Sequence, residues 1–135
     1  MKNEKSKYQI IKMGNIYQGV LDLNRNPSYY QELNDKEMNY LLKNDDIIIT
    51  LTGTVNKKDY GYSCILKNPN NLLLNQRLAL IRTVNINPYF LYLKLNTNDF
   101  LDQFYNSSTG GTGNQTNVST KTIETFNLLI PDIHE

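Results

Sequence analysis

The sequence predicts a single α/β or α+β domain, with a twisted mixed β-sheet, helices packed on one side and polar loops on the other. Three observations carry that prediction. In the run Ile47 to Thr52, Ile47, Ile49 and Leu51 fall on one face and Thr50 and Thr52 on the other, the two-residue period of a half-buried strand, and the run is rich in β-branched residues. Two further extended runs follow, Tyr62 to Lys67 and Leu72 to Arg82, separated by loops rich in Lys, Asn and Pro. Beyond them, Asn87 to Tyr105 carries the caps and apolar spacing of two helices, before a last apolar run at Phe126 to Ile130.

Taken in order, Tyr8 to Met13 reads as the first strand, and Gly14-Asn15 as a turn from which Ile16 resumes the chain. Gly19 to Tyr40 is polar and Asn-rich, with Pro27 and the pair Tyr29-Tyr30; it reads as loop, with a short strand or a helical turn over Asn34 to Tyr40. The central strand places Ile47, Ile49 and Leu51 on one face and Thr50 and Thr52 on the other, and ends at Gly53. The loop Thr54 to Tyr60 then carries Lys57 and Lys58. In the third strand, Leu72 to Arg82, Asn75-Gln76-Arg77 interrupts the apolar pattern. Polar groups at half-buried strand positions are costly unless satisfied, and amide and guanidinium groups are the types that read base edges or phosphates.

Asn87-Pro88-Tyr89-Phe90 is close to the Asn-Pro-Pro-Tyr motif of amino-methyltransferases, but the second Pro is missing and no glycine-rich cofactor loop precedes it. An N-cap Asn with Pro at the first helical position accounts for it better, because the cap satisfies a free helix N–H and Pro has none to satisfy. This helix runs to about Leu95, and a second, Asn98 to about Tyr105, puts Phe100, Leu101 and Phe104 on one side. Asn106 to Asn117 holds three glycines and no core residue, and fits neither the P-loop nor the dinucleotide fingerprint. Ser119 caps a short helix after it, and a strand from Phe126 to Ile130 closes the domain, so the loop lies inside the fold.

A chain of 135 residues can bury a core without disulfides. Cys64, alone within an apolar strand, reads as a small buried hydrophobe. With one Cys and one histidine, His134, no zinc site of ordinary ligand count can be built. Asp45-Asp46 has no third carboxylate or lysine at nuclease spacing, so the expectation is no catalysis, no metal and no cofactor. The basic N-terminus lacks the apolar core of a signal peptide and no run approaches the ~20 apolar residues of a membrane span, so a cytoplasmic protein without membrane contact is expected. The net charge of +1 conceals a segregation. Met1 to Lys12 holds four Lys against Glu4; Thr54 to Arg82 holds Lys57, Lys58, Lys67, Arg77 and Arg82 against Asp59; from Asp99 onward only Lys121 opposes five acids. The first two segments form a modest basic patch where they share a face, and a mixed solvated surface where they do not.

Five pieces recur in the order of a known family: GNI at Gly14, DIIITLTGTV at Asp46, LLLNQRLALIR at Leu72, STGGTGNQTNVS at Ser108 and LLIPDIHE at Leu128. Together they resemble one target recognition domain of a type I restriction-modification specificity subunit, over nearly the whole chain. The resemblance implies sequence-specific recognition of double-stranded DNA, with methylation and cleavage performed by separate methyltransferase (modification) and restriction subunits. No small-molecule substrate is implied. In such domains variable stretches such as Gly19 to Tyr40 hold specificity, and the chain continues beyond the segment resembling Pro131 to Glu135 into a long spacer helix, which residues 1–135 lack.

The DNA-binding residues then expected are Lys12 and Asn15 at the opening turn, Thr52, Thr54, Lys57, Lys58 and Tyr60 around the glycine loop, and Asn75, Gln76 and Arg77 in the interrupted strand. Ser108, Thr109, Gly110, Gly111, Thr112, Asn114 and Gln115 complete the set, in a small-residue loop whose backbone N–H groups can approach phosphates. Lys57, Lys58 and Arg77 would position the duplex, and Asn75, Gln76 and Arg77 or the Gly19 to Asn39 loops would read it. Two alternatives stay open for Asn15 and for Asn75 to Arg77, which could hold turns and neighbouring loops instead. The alternatives for the domain itself are a truncated module docking on a methyltransferase without reading DNA, and the recognition domain of a fused methyltransferase-nuclease.

Overall fold

The computed structural model describes residues 4–75, 77–110, 115–126 and 128. In chain order the strands are β1 (Tyr8–Ile11), β2 (Ile16–Tyr17), β3 (Val20–Leu21), β4 (Ser28–Tyr30), β5 (Ile47–Thr50), β6 (Thr52–Thr54), β7 (Ser63–Ile65), β8 (Leu72–Leu74), β9 (Leu78–Ile81), β10 (Thr109–Gly110) and β11 (Gln115–Asn117). The helices are α1 (Asp35–Met38), α2 (Pro88–Lys94), α3 (Asn98–Asn106) and α4 (Thr120–Ile123).

β5 is the centre. It pairs antiparallel with β7 on one side and β9 on the other. Its alternation is that of a strand, but it is buried on both faces rather than half-buried. Ile47 and Ile49, with Leu51, pack among Leu91, Leu95, Phe100 and Phe104 from α2 and α3. Ile48 faces the other way, into a second core with Ile11, Leu42, Cys64, Leu66 and Leu72. Each buried isoleucine contributes about 1.5 to 3 kcal/mol, so a run of three makes β5 the anchor of both cores.

The expected single mixed sheet is divided: the described strands form four small sheets, which gives an α+β domain. One sheet is mixed, with β1 antiparallel to β4 and parallel to β8. β2 and β3 form a hairpin, and β10, β11 and β6 a third sheet beside that of β5. Leu72 to Arg82 is therefore two strands and not one. β8 pairs with β1, β9 pairs with β5, and the polar residues occupy the crossing between sheets. Asn75 is half-buried there and Arg77 exposed, so neither is stranded inside a ladder; Gln76 lies outside the described residues.

The helices form where their caps direct. Asn87 Oδ1 accepts the Tyr89 N–H at 2.9 Å and Pro88 opens α2; Ser119 Oγ accepts the Thr122 N–H at 3.1 Å at the start of α4. α1 is the helical turn expected over Asn34 to Tyr40, closed by reciprocal Asn34 and Glu37 bonds. In α3, Phe100 and Phe104 are fully buried and Leu101 partly. The abundance of asparagine has a local cause. Among the described residues, five of the seven non-glycine residues with positive φ are Asn, at 26, 56, 68, 71 and 85, the residue type that best tolerates left-handed turns apart from glycine. The expected strand Phe126 to Ile130 falls largely outside the described residues; Phe126 and Leu128 are not in a strand but pack on the α2–α3 core.

Candidate nucleic-acid interface

Past Thr50 the central strand continues through Leu51 into β6, and its neighbour changes. The Leu51 N–H donates to Arg77 O at 3.3 Å, while the Leu51 carbonyl accepts the Val118 N–H at 3.0 Å. β11 thus takes over where β9 begins, in the register Thr52↔Asn117, Gly53↔Thr116 and Thr54↔Gln115, and β10 pairs outside it, Thr109↔Asn117. The stretch Asn106 to Asn117, expected to be loop throughout, therefore contributes two strands. Its central residues Gly111, Thr112 and Asn114 lie outside the described residues, as does Gly113.

Side chains alternate across a strand, so this register sorts them. Thr52, Thr54, Thr109, Gln115 and Asn117 share one face, on which Thr109, Gln115 and Asn117 are exposed. Gly53 and the buried Thr116 belong to the other. Gly53 is required there: a Cβ on it would lie 2.3 Å from Tyr60 Cδ1 and 2.5 Å from Asp59 Oδ1. The Tyr60 ring occupies that space, tilted against Phe104 and edge-on to Tyr105 with ring centres 5.4 and 5.3 Å apart, and the Tyr60 carbonyl accepts from Tyr105 OH at 2.6 Å.

Basic residues lie on the segments that adjoin both ends of β6. At the Gln115 end, Asp59 accepts from the Thr54 N–H at 2.9 Å and from Thr54 Oγ1 at 2.6 Å, folding the loop back on its own strand. These bonds hold the Asp59 carboxyl below the 3.8 of a free aspartate. The closed loop carries Lys57 and Lys58, and Lys58 Nζ sits 5.5 Å over the Tyr105 ring. At the Asn117 end stands Arg77, placed by its bond to Leu51. The ion pairs among the described residues are Lys67–Asp45, Arg82–Asp46 and Lys94–Asp99, so two cations of the basic segment are paired, while Lys57, Lys58 and Arg77 form no such pair and Lys57 acts on the Asp59 carboxylate only through space. Asp46 is buried, held by Arg82 through two 2.8 Å bonds, and accepts the Lys43 N–H at 2.7 Å, which makes it a structural anchor for β5.

The remaining expected residues divide. Asn15 is 1% exposed; its Oδ1 accepts the Lys12 N–H and its Nδ2 donates to the carbonyls of Asp22 and Arg25, so it holds the opening turn and is withdrawn from any ligand. Tyr60, 2% exposed, is a packing residue under the polar sheet. Lys12 Nζ donates to Asn26 O and Ser28 Oγ, in the sheet of β1 and β4. Ser108 Oγ donates to Tyr105 O at 2.9 Å, which ends α3 and starts β10. Asn75 lines an open groove of about 620 Å³ with Ile10, Tyr30, Tyr40 and α1. One residue of the polar face escaped the sequence reading: Asn117, whose signal was the alternation Gln115-Thr116-Asn117 inside a run of low complexity.

No curated protein matches the chain. The model of the type I restriction modification DNA specificity domain matches residues 1–135, and the chain belongs to that family.

Proposed function

We propose that this domain recognises a short sequence in double-stranded DNA and so specifies the half-site at which partner subunits of a type I restriction-modification system methylate and cleave. The observation that carries the reading is the polar face of β6, β10 and β11, adjoined by segments carrying Lys57, Lys58 and Arg77, which form no ion pair among the described residues. Thr, Asn and Gln side chains offer the donors and acceptors that match base edges, and cations offer the phosphate contacts that fix register. Lys57, Lys58 and Arg77 position the duplex; Thr52, Thr109, Gln115 and Asn117, with Arg77, supply the reading groups. Catalysis belongs to the methyltransferase and restriction subunits, and the domain acts in the cytoplasm with no cofactor of its own.

Selection of duplexes from a randomised pool, at low and then near-physiological salt, tests this. Enrichment of a short asymmetric motif that survives the higher salt is expected. Recovery without a motif, lost as salt rises, is the signature of electrostatic contact alone and contradicts the reading.

A second reading, a module that docks on a methyltransferase without reading DNA, is favoured by the exposed Tyr89, Phe90 and Leu93 on α2. It predicts partner binding that survives removal of Lys57 and Lys58, with no sequence preference in the pool.

A further inference from the structure

We infer that Asn117 reads adenine, oriented for that task by Thr52, and that Gln115 reads a second adenine nearby; the inference rests on the DNA-reading function proposed above. Asparagine and glutamine pair with adenine through two bonds, the amide oxygen accepting from N6 and the amide nitrogen donating to N7. The Asn117 amide is exposed on the polar face, and its Oδ1 already accepts from Thr52 Oγ1 at 2.9 Å across the strand pair. An amide oxygen has two lone pairs. The threonine uses one and ties the amide to the strand pair, leaving the second lone pair and both N–H groups for a base. Guanine presents acceptors at both O6 and N7, so an amide anchored through its oxygen meets O6 with an acceptor and discriminates against it.

Gln115 stands on the same face two residues away, opposite Thr54. The Thr54 hydroxyl is committed to Asp59, so Gln115 lacks the anchor that Asn117 has and is the more adaptable of the two. Same-face neighbours on a strand are about 6.8 Å apart, the length of about two base-pair steps of ~3.4 Å. The recognised sequence therefore contains two A·T pairs no more than two steps apart.

The test starts from the duplex enriched by the full chain. Affinities for every single base-pair substitution of that duplex are measured for the natural protein and for Asn117→Ala, Gln115→Ala and Thr52→Val, with urea unfolding of each variant to confirm the fold. In the natural protein, changing either A·T pair to G·C is expected to weaken binding about 5- to 150-fold. Asn117→Ala should abolish the penalty at one of these pairs and leave the other intact. Thr52→Val should reduce the penalty at the same pair as Asn117→Ala, and Gln115→Ala should act at the second. A full substitution profile retained by Asn117→Ala, a loss confined to a G·C pair, or a uniform loss at all positions each overturns the assignment while leaving DNA reading in place. A pool that yields no enriched duplex overturns the DNA reading itself, and this assignment with it.

Discussion

Replacing Gly53 with alanine joins the packing of the polar sheet to the placement of its lysines. The added Cβ would lie 2.3 and 2.6 Å from two carbons of the Tyr60 ring and 2.5 Å from Asp59 Oδ1. Carbon atoms rest at about 3.5 to 4.0 Å, so the ring must retreat by more than about 1 Å. It has nowhere to go. Tyr60 is 2% exposed, wedged against Phe104 and Tyr105, and its carbonyl is held by the Tyr105 hydroxyl. Overpacking of this kind costs about 1 to 3 kcal/mol. The alternative relaxation lifts the loop from Thr54 to Tyr60 and breaks the Asp59 bonds to Thr54, which displaces Lys57 and Lys58. Urea unfolding should show a midpoint lowered by that amount with an unchanged slope. The salt dependence of duplex binding should fall as well, by about 0.9 in log–log slope for each phosphate that the displaced lysines no longer neutralise. A Gly53→Ala protein with the natural midpoint and the natural salt slope would refute the packing of Tyr60 under the sheet and its link to the lysine loop.

Three further outcomes follow from the same geometry. Lys57→Ala and Lys58→Ala should each lower the salt slope by about 0.9 and weaken binding to all duplexes alike; a change confined to one base position would contradict a phosphate role. Asp59 has a folded-state pKa below its unfolded value, chiefly through its bonds to Thr54, so its contribution to stability is present above about pH 4 and is lost as pH falls through the folded value. Asp59→Asn should therefore flatten the acid limb of a stability–pH profile, and an unaltered limb would show that the clamp contributes nothing. Burial pushes the Cys64 thiol up to about 12, so iodoacetamide at pH 8 should label it only after unfolding; rapid labelling of the folded protein would contradict its place in the second core.

The helices were legible because their signals are local. Asn87-Pro88 and Ser119 mark helix starts within a few residues, and the structure uses both. β5 was legible as a strand, but its second buried face was not, because Ile48 meets Ile11, Leu72 and Cys64 from distant segments. The break at Asn75 to Arg77 was visible as a polar interruption, yet nothing local says that the flanking strands join different sheets. Gln115 to Asn117 carries no apolar strand pattern, since its pairing partner is Thr52 to Thr54, some sixty residues away; its two strands, and Asn117 with them, depend on that long-range pairing. Asn15 holds the opening turn, as its place beside Gly14 suggests, and Tyr60 packs under the sheet; in both cases distant carbonyls and rings claim the side chain, which residue type alone does not reveal.

The most direct test of the central claim, that the polar sheet and its flanking cations form the DNA-binding face, is an amide NMR titration of the isotope-labelled domain with the duplex enriched from the randomised pool, at near-physiological salt. Shifts concentrated at Thr52 to Thr54, Lys57, Lys58, Arg77, Ser108 to Gly110 and Gln115 to Asn117 are predicted. Shifts centred instead on α2, or on the groove beside α1, would contradict it.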